Sequence, residues 1–388
     1  MASFRWGASL SAYQHFGEFE CDMPPTHGAR HMFFYKEDFA LARLLGLDSL
    51  RTTLEWALLE PKPGVWSQDA LRFYRQYLRE AQDQGLRVLP GLHHFTNPKW
   101  FTLNGGWLKS GNEKYFVRYA QKAMAFLADY CDEVLLFNEP NIYPVMAYFA
   151  GILPPYWRLY IAGVRRALKL FSSLLPQLAE YAHTLGLRAG ITLSVSPVRP
   201  SSRLNPFSLA LSYAFDRALQ RSFAKAVCRE MDFVGIDYYV DLHLGGLDVG
   251  YSVNPRGLFD AVRLIGQLTS RPLLITETGI FTRNEALRAE FLMASLDGLR
   301  RARASGFDVR GFFWWSLLHG YEWGLGYEPF IALVDVEFAD SFRRRPTPLA
   351  SLYSQAIRDG GRLEGEYKLL PKASRLRLRE WRYDLLYF

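Results

Sequence analysis

Cysteine is scarce in this chain of 388 residues: Cys21, Cys131 and Cys228 are odd in number and far apart. That usage excludes a disulfide framework and a cysteine-rich metal site, and it fits a reducing compartment. Long apolar runs are missing as well, since no uncharged stretch reaches the ~18 residues of a membrane span. The longest candidate, over 143–157, is interrupted by Pro144, Pro154 and Pro155. No basic-then-apolar signal peptide opens the chain, because Arg5-Trp6-Gly7 already reads as a strand, and a cytoplasmic location is expected. There is no Gly-x-x-x-x-Gly-Lys-Ser/Thr phosphate loop and no dinucleotide fingerprint after a strand, so no cofactor is expected. The formal net charge of +7 is modest for the length, and no zinc-finger pattern or RNA-binding aromatic motif accompanies it. Nucleic acid is a poor partner on those grounds.

Aromatic residues, in contrast, are abundant: 10 Trp, 22 Tyr and 28 Phe, within a hydrophobic fraction of 49%. They supply a large core and argue against disorder, and the surplus suits a pocket that stacks on sugar rings. Eight short segments read as strands, at 6–11, 49–56, 87–94, 134–139, 189–196, 233–239, 273–277 and 311–317. Segments of helical spacing lie between most of them, at 36–45, 70–84, 112–128, 160–185 and 285–305, the first two closed by Gly46 and Gly85. Strands alternating with helices in this way predict a single (β/α)8 barrel, and no linker or repeat divides it.

Two of those strands carry a glutamate at the carboxyl end. Glu139 follows Val134-Leu135-Leu136-Phe137-Asn138, and Glu277 follows Leu273-Leu274-Ile275-Thr276. Barrels place their chemistry at that rim. Burying one carboxylate is costly and holding two close together raises a pKa, so neither is a natural structural choice. A paired acid and base or nucleophile is the chemistry of glycosidic bond cleavage. Ser11, Gln14, Glu55, Trp56, His93, His94, Asn138, Ser194, Ser196, Asp237, Tyr238, Tyr239, Trp315 and Ser316 are expected on the same rim, which points to a polyhydroxylated ligand. His93-His94 suggests a metal at first sight, but adjacent strand residues face opposite sides, so no metal is expected.

These motifs resemble glycoside hydrolase family one, the retaining β-glycosidases, over nearly the whole chain up to about Ala356. Phe4-Arg5-Trp6-Gly7-Ala8-Ser9 with Ser11-Ala12-Tyr13-Gln14 is similar to the family's opening strand. Leu92-His93-His94-Phe95-Thr96-Asn97-Pro98 resembles its third-strand motif, and Phe137-Asn138-Glu139-Pro140-Asn141 its acid/base signature. Ile275-Thr276-Glu277-Thr278-Gly279 resembles the nucleophile signature, with Thr278 where Asn is commoner. The run from Gly311 through Glu322-Trp323 resembles the eighth strand and its sugar-binding loop. The resemblance implies that Glu139 is the general acid and then base, and Glu277 the nucleophile. It implies that Gln14, His94, Asn138, Glu322 and Trp323 bind sugar hydroxyls, that Trp315 is the stacking floor, and that Arg51 and Tyr239 hold Glu277 ionised. Taken alone, Trp315 and Tyr239 also read as core aromatics, Arg51 as a partner of Glu55, and Glu322 as a solvated loop acid.

The departures from the family pattern are specific. Asp237 stands where Asn is usual, His15-Phe16-Gly17 replaces Ile/Val-Glu-Gly, and His319-Gly320 replaces an Asp-Asn pair. A third rim carboxylate at Asp237 is expected to raise the pKa of Glu139. The implied substrate is a neutral β-glucoside, β-galactoside or β-fucoside, small or carried on an oligosaccharide or glycolipid. The barrel is expected over 1–360. A basic, aromatic extension over 361–388 would pack on it or project from it, and a homo-oligomer stays open.

Overall fold

The computed structural model describes residues 4–202, 204–245, 248–254, 256–363 and 374–377. Eight strands close into one barrel: β1 (Arg5–Ser9), β2 (Ser49–Thr53), β3 (Arg87–Gly91), β4 (Glu133–Asn138), β5 (Arg188–Ser194), β6 (Phe233–Tyr238), β7 (Leu273–Thr278) and β8 (Val309–Trp315). Every neighbouring pair is parallel, and β1 pairs with β8 to complete the circle. All eight predicted strands are present. Strands such as β4 and β7 are buried along their whole length, which is why they read as continuous apolar runs rather than alternating ones.

Each strand is followed by a helix on the outside. These are His31–Leu44, Gln68–Asp83, Glu113–Leu127, Ile161–Thr184, Pro206–Phe215 with its continuation to Val227, Gly257–Gly266, Glu285–Ala304 and Pro348–Arg358. The caps follow ordinary rules: Ser67 accepts from the Ala70 N–H and Asn284 from those of Ala286 and Leu287. The first helix starts five residues ahead of the position read from periodicity. Its leading turn is His-Met-Phe-Phe, preceded by a left-handed Arg30 with no capping side chain. His31 instead earns its place through buried hydrogen bonds to Asp38 (2.8 Å) and Tyr77 (2.9 Å), which no local pattern reveals.

Leu89, Leu135, Phe233, Leu274 and Phe313 form their own apolar cluster, separate from the one that packs helices on strands, and fill the barrel interior. Gly7 and Gly190 make room for it. A Cβ at either position would come within 2.4 Å of the ring of Phe313 or Phe233. The barrel interior is thus filled below the carboxyl rim, the end at which barrels place their chemistry.

The helices Pro206–Phe215, Gly257–Gly266 and Pro348–Arg358 are not among the segments read as helical, and two further features lie outside the predicted plan. A hairpin joins Val334–Glu337 to Arg343–Pro346, and a small sheet runs in the order Ser374–Arg377, Asp248–Ser252, Asp241–Gly245, Val198–Pro200. Ser374–Arg377 belongs to the predicted extension and pairs antiparallel with Asp248–Ser252. The rest of that extension, 364–373 and 378–388, lies outside the described residues.

Candidate active site

Both central glutamates follow a break in strand register. β4 and β5 slip between Leu135 and Asn138, and β6 and β7 slip between Ile275 and Glu277. Such slips turn a side chain out of the regular alternation. Glu139 also has a φ of 49°, a left-handed backbone that costs a non-glycine residue about 1–3 kcal/mol. Its N–H donates to the Thr192 carbonyl (2.8 Å), and its carbonyl accepts from Ile142 and Tyr143 (both 3.0 Å). Those bonds hold the conformation that carries the carboxyl over the barrel mouth.

Oxygens of Glu139, Asp237 and Glu277 all lie within 4.8 Å of one another, and all three residues are buried. Arg51 on β2 is the cation among them. Its guanidinium donates to Glu277 Oε1 and to Asn138 Oδ1, while the Tyr239 hydroxyl donates to Glu277 Oε2 (2.6 Å). Arg51 therefore does not pair with Glu55, which accepts instead from the Ala57 N–H (3.1 Å) and the Thr96 hydroxyl (2.8 Å).

One guanidinium cannot balance three buried carboxylates, so the cluster holds protons. Burial, then the charge of Glu277, pushes Glu139 up to about 8. Burial and the same neighbour push Asp237 well above the usual carboxylate range. Glu277 is raised by burial too, but Arg51 and Tyr239 oppose the shift, which makes it the carboxylate that ionises first. Asp237 Oδ1 accepts from the Thr276 hydroxyl (2.7 Å), whereas its Oδ2 is buried with no donor. Asp237 also hydrogen-bonds the Glu139 carboxyl, a contact that lowers the pKa of Glu139, so the rise expected from Asp237 comes instead from burial and Glu277. Three carboxylates are also the composition of a cation site, and here Arg51 provides the countercharge.

A second group of side chains forms the adjoining wall. Gln14 Nε2 and Trp315 Nε1 donate to the two oxygens of Glu322 (both 3.2 Å), and the Ser11 hydroxyl donates to Gln14 Oε1 (2.7 Å). Glu322 is buried and pushed up to about 8 by that burial, so it is no solvated loop acid. His94 lies parallel to Trp315, with ring centroids 5.7 Å apart, and near Trp323 at 6.1 Å; its Nε2 faces Asn138 Nδ2 at 3.4 Å. Burial, helped by Arg51, keeps that imidazole neutral. His93 points the other way, onto Phe137 and Asn97, and is not part of the site.

The eleven residues given site roles from sequence thus meet at one mouth, whereas Glu55 and Trp56, also expected on the rim, cap and form the short helix Trp56–Leu59, with Trp56 packed on Phe101 and Tyr119. Ser194, read from sequence as a strand-end residue on the rim, joins them, and two residues, Tyr13 and His15, escaped that reading. Ser194, on β5, hydrogen-bonds Glu139. Tyr13 stacks on Trp323 with ring planes 11° apart. His15 supports the edge of Trp315 and binds the Leu318 carbonyl (3.0 Å). His15 also accounts for a second departure from the family pattern. A Cβ at Gly320 would meet the His15 ring at 2.8 Å, so the unusual His15 and the unusual Gly320 are two halves of one contact.

Comparison with known proteins agrees with this geometry. The family model described as glycosyl hydrolase family 1 matches residues 26–229 and 209–361. A galactolipid galactosyltransferase of Arabidopsis thaliana, SFR2, is 24% identical over 386 residues, covering 87% of this chain; the chain spans 61% of that relative's length. Beta-glucosidase A of Acetivibrio thermocellus is 23% identical over 412 residues, with 89% of each chain covered. Among solved structures, a beta-glycosidase from Pyrococcus horikoshii superposes with a TM-score of 0.84 at 27% identity, covering 95% of this chain and 97% of that one. With the family model running from the first helix to the last, the chain belongs to glycosyl hydrolase family 1, on a single (β/α)8 barrel.

Proposed function

We propose that the chain is a retaining β-glycosidase that removes terminal, neutral β-linked sugars by double displacement. The observation that carries this reading is the spacing of Glu139 and Glu277, whose oxygens lie within 4.8 Å. Retention needs carboxyl groups about 5–5.5 Å apart, whereas inversion needs about 6.5–9.5 Å to admit a water. Glu277, held by Arg51 and Tyr239, attacks the anomeric carbon. Glu139 gives its proton to the leaving oxygen as the glycosidic bond breaks. Forming the ester cancels the charge on Glu277, which is the second cause of the raised pKa of Glu139. Glu139 then ionises more readily and takes a proton from the water that cleaves the ester. The same two carboxyls serve both steps because the first step resets the second residue. The product keeps its β configuration, and proton NMR of the first-formed sugar tests this: an α anomer appearing first overturns the reading.

Gln14, His94, Asn138, Glu322 and Trp323 are the proposed partners of the sugar hydroxyls, over a floor formed by Trp315. The loop that bears Glu322 and Trp323 contains no Lys or Arg over 321–327. Nothing there offsets the desolvation of a phosphate dianion beside a buried glutamate. The specificity constant for an aryl β-glucoside is therefore expected to exceed that for its 6-phosphate by about 10²-fold or more. A higher value for the phosphate would overturn the assignment. Transfer to a sugar or alcohol in place of water is the second reading, favoured by the galactosyltransferase name of the Arabidopsis relative. Comparing aryl release with free sugar in the presence of galactose separates the two. A reducing, cytoplasmic setting is supported by three cysteines that are all unpaired.

Asp237 is proposed to tune the acid. Asp237→Asn replaces a carboxyl that can ionise with an amide that stays neutral and can donate to ionised Glu139. That favours the charged form and lowers its pKa. Since activity falls as pH rises through the pKa of the acid, the alkaline limb of kcat/KM is expected to move to lower pH by roughly one unit. An unmoved limb would leave Asp237 a structural or sugar-contacting residue.

A further inference from the structure

The helix Pro206–Phe215 is built inside out. Its buried side chains are Ser208 and Ser212, while Phe207, Leu209 and Tyr213 face solvent, the first and last 63% exposed. Ser208 serves the inward face with hydrogen bonds to the Leu244 carbonyl and the Ser201 N–H. A second exposed apolar stretch leads into the helix Ile161–Thr184 and consists of Trp157, Leu159 and the helix's first residue, Ile161, with Leu159 73% exposed. A barrel helix begins at the rim where its strand ends. β4 and β5 are hydrogen-bonded neighbours, so both apolar stretches stand on adjoining sectors of the rim. The second one grows out of the segment that starts at Glu139. Ile152 within that segment lies beside Gly324, in the loop that carries Glu322 and Trp323. The apolar surface is thus continuous with the mouth of the site.

Charge says what covers it. Between Glu139 and Asp216 the only acidic residue is Glu180, which lies nineteen positions along the helix from Ile161. At 1.5 Å per residue that is about 28 Å from the rim. Arg158, Arg165, Arg166 and Lys169 are exposed beside the apolar stretch, and Arg217 lies over the ring of Tyr213. A second copy seated symmetrically on this face would oppose cations to cations. Apolar and aromatic side chains bordered by Arg and Lys suit an anionic membrane surface.

We propose that this sector of the rim docks on a lipid bilayer bearing anionic headgroups. Trp157, Leu159, Ile161, Phe207 and Tyr213 enter the interfacial layer, and the flanking arginines meet the phosphates. Docking turns the barrel mouth toward the bilayer, where the sugar of a lipid-borne β-glycoside reaches the pocket. That substrate class rests on the glycosidase reading above, whereas the docking does not.

Sedimentation of the full chain with vesicles tests it. Vesicles containing phosphatidylglycerol are expected to bind at least about tenfold more protein than pure phosphatidylcholine, with binding weakened by salt. Leu159→Ser combined with Phe207→Ser is expected to lower the partition about tenfold or more, and Arg165→Glu with Arg166→Glu to remove the preference for phosphatidylglycerol. Turnover of a soluble aryl β-glucoside is expected to be unchanged in both variants, which shows that they fold. Absent binding, or binding indifferent to these substitutions, overturns the proposal. So does a doubled mass in light scattering that the apolar variant abolishes, because a second copy would then be the occupant. Vesicle binding without turnover of any aryl glycoside would sink the glycosidase reading and leave the docking standing.

Discussion

Glu277→Gly is expected to lower kcat for aryl β-glucosides by on the order of 10⁴-fold or more, through loss of the nucleophile. The gap left behind opens onto the anomeric carbon, and Arg51 and Tyr239 remain with donors to spare. A small anion such as azide or formate fits that description. Azide is expected to restore turnover of an activated aryl glycoside and to give the α-glycosyl azide, because it enters from the face Glu277 occupied. Absence of rescue in a variant with normal circular dichroism would argue that Glu277 positions another nucleophile. A β-configured azide would place the attack on the wrong face.

Glu139→Ala is expected to separate substrates by leaving group. A dinitrophenolate departs without a proton, so formation of the glycosyl ester should be little affected, while a poor leaving group loses about 10²–10⁴-fold. The second step still lacks its base, and ester hydrolysis becomes limiting for good leaving groups. Azide should accelerate that step and give the β-glycosyl azide, the mirror outcome of the Glu277 variant. Equal losses across leaving groups would remove Glu139 from the role of acid. The pH profile provides an independent reading. In the unmodified enzyme kcat/KM should fall as pH rises through about 8, the value to which burial and Glu277 raise Glu139. That alkaline limb should vanish in Glu139→Ala, since no acid is left to titrate.

The sequence by itself determined the barrel. Burial on both faces turns a parallel strand into a short apolar run, and glycine after a helix is a local necessity, so the eight strands and five of the eight outer helices announced themselves without reference to the others. Glu139 and Glu277 were legible for a related reason: a carboxylate ending an apolar run has no cheap structural explanation. Local signals ended where a partner distant in sequence does the stabilising. The early start of His31–Leu44 depends on Tyr77, 46 residues away, and Ser208 turns inward to a small sheet that sequence did not reveal.

Tertiary structure alone decided how the charges divide. Asp237, Glu139 and Glu277 come from three strands, and only register slips in β4 and β7 bring their oxygens together around a single guanidinium. Which carboxyl ionises and which keeps a proton follows from distances to Arg51 and Tyr239, and spacing along the chain carries no trace of those distances. The pairing of His15 with Gly320 is of the same kind, two departures 305 residues apart that fill one volume. Local sequence specifies elements because backbone preferences act over a few residues; electrostatics and packing act over ångströms, between residues that only the closed barrel makes neighbours.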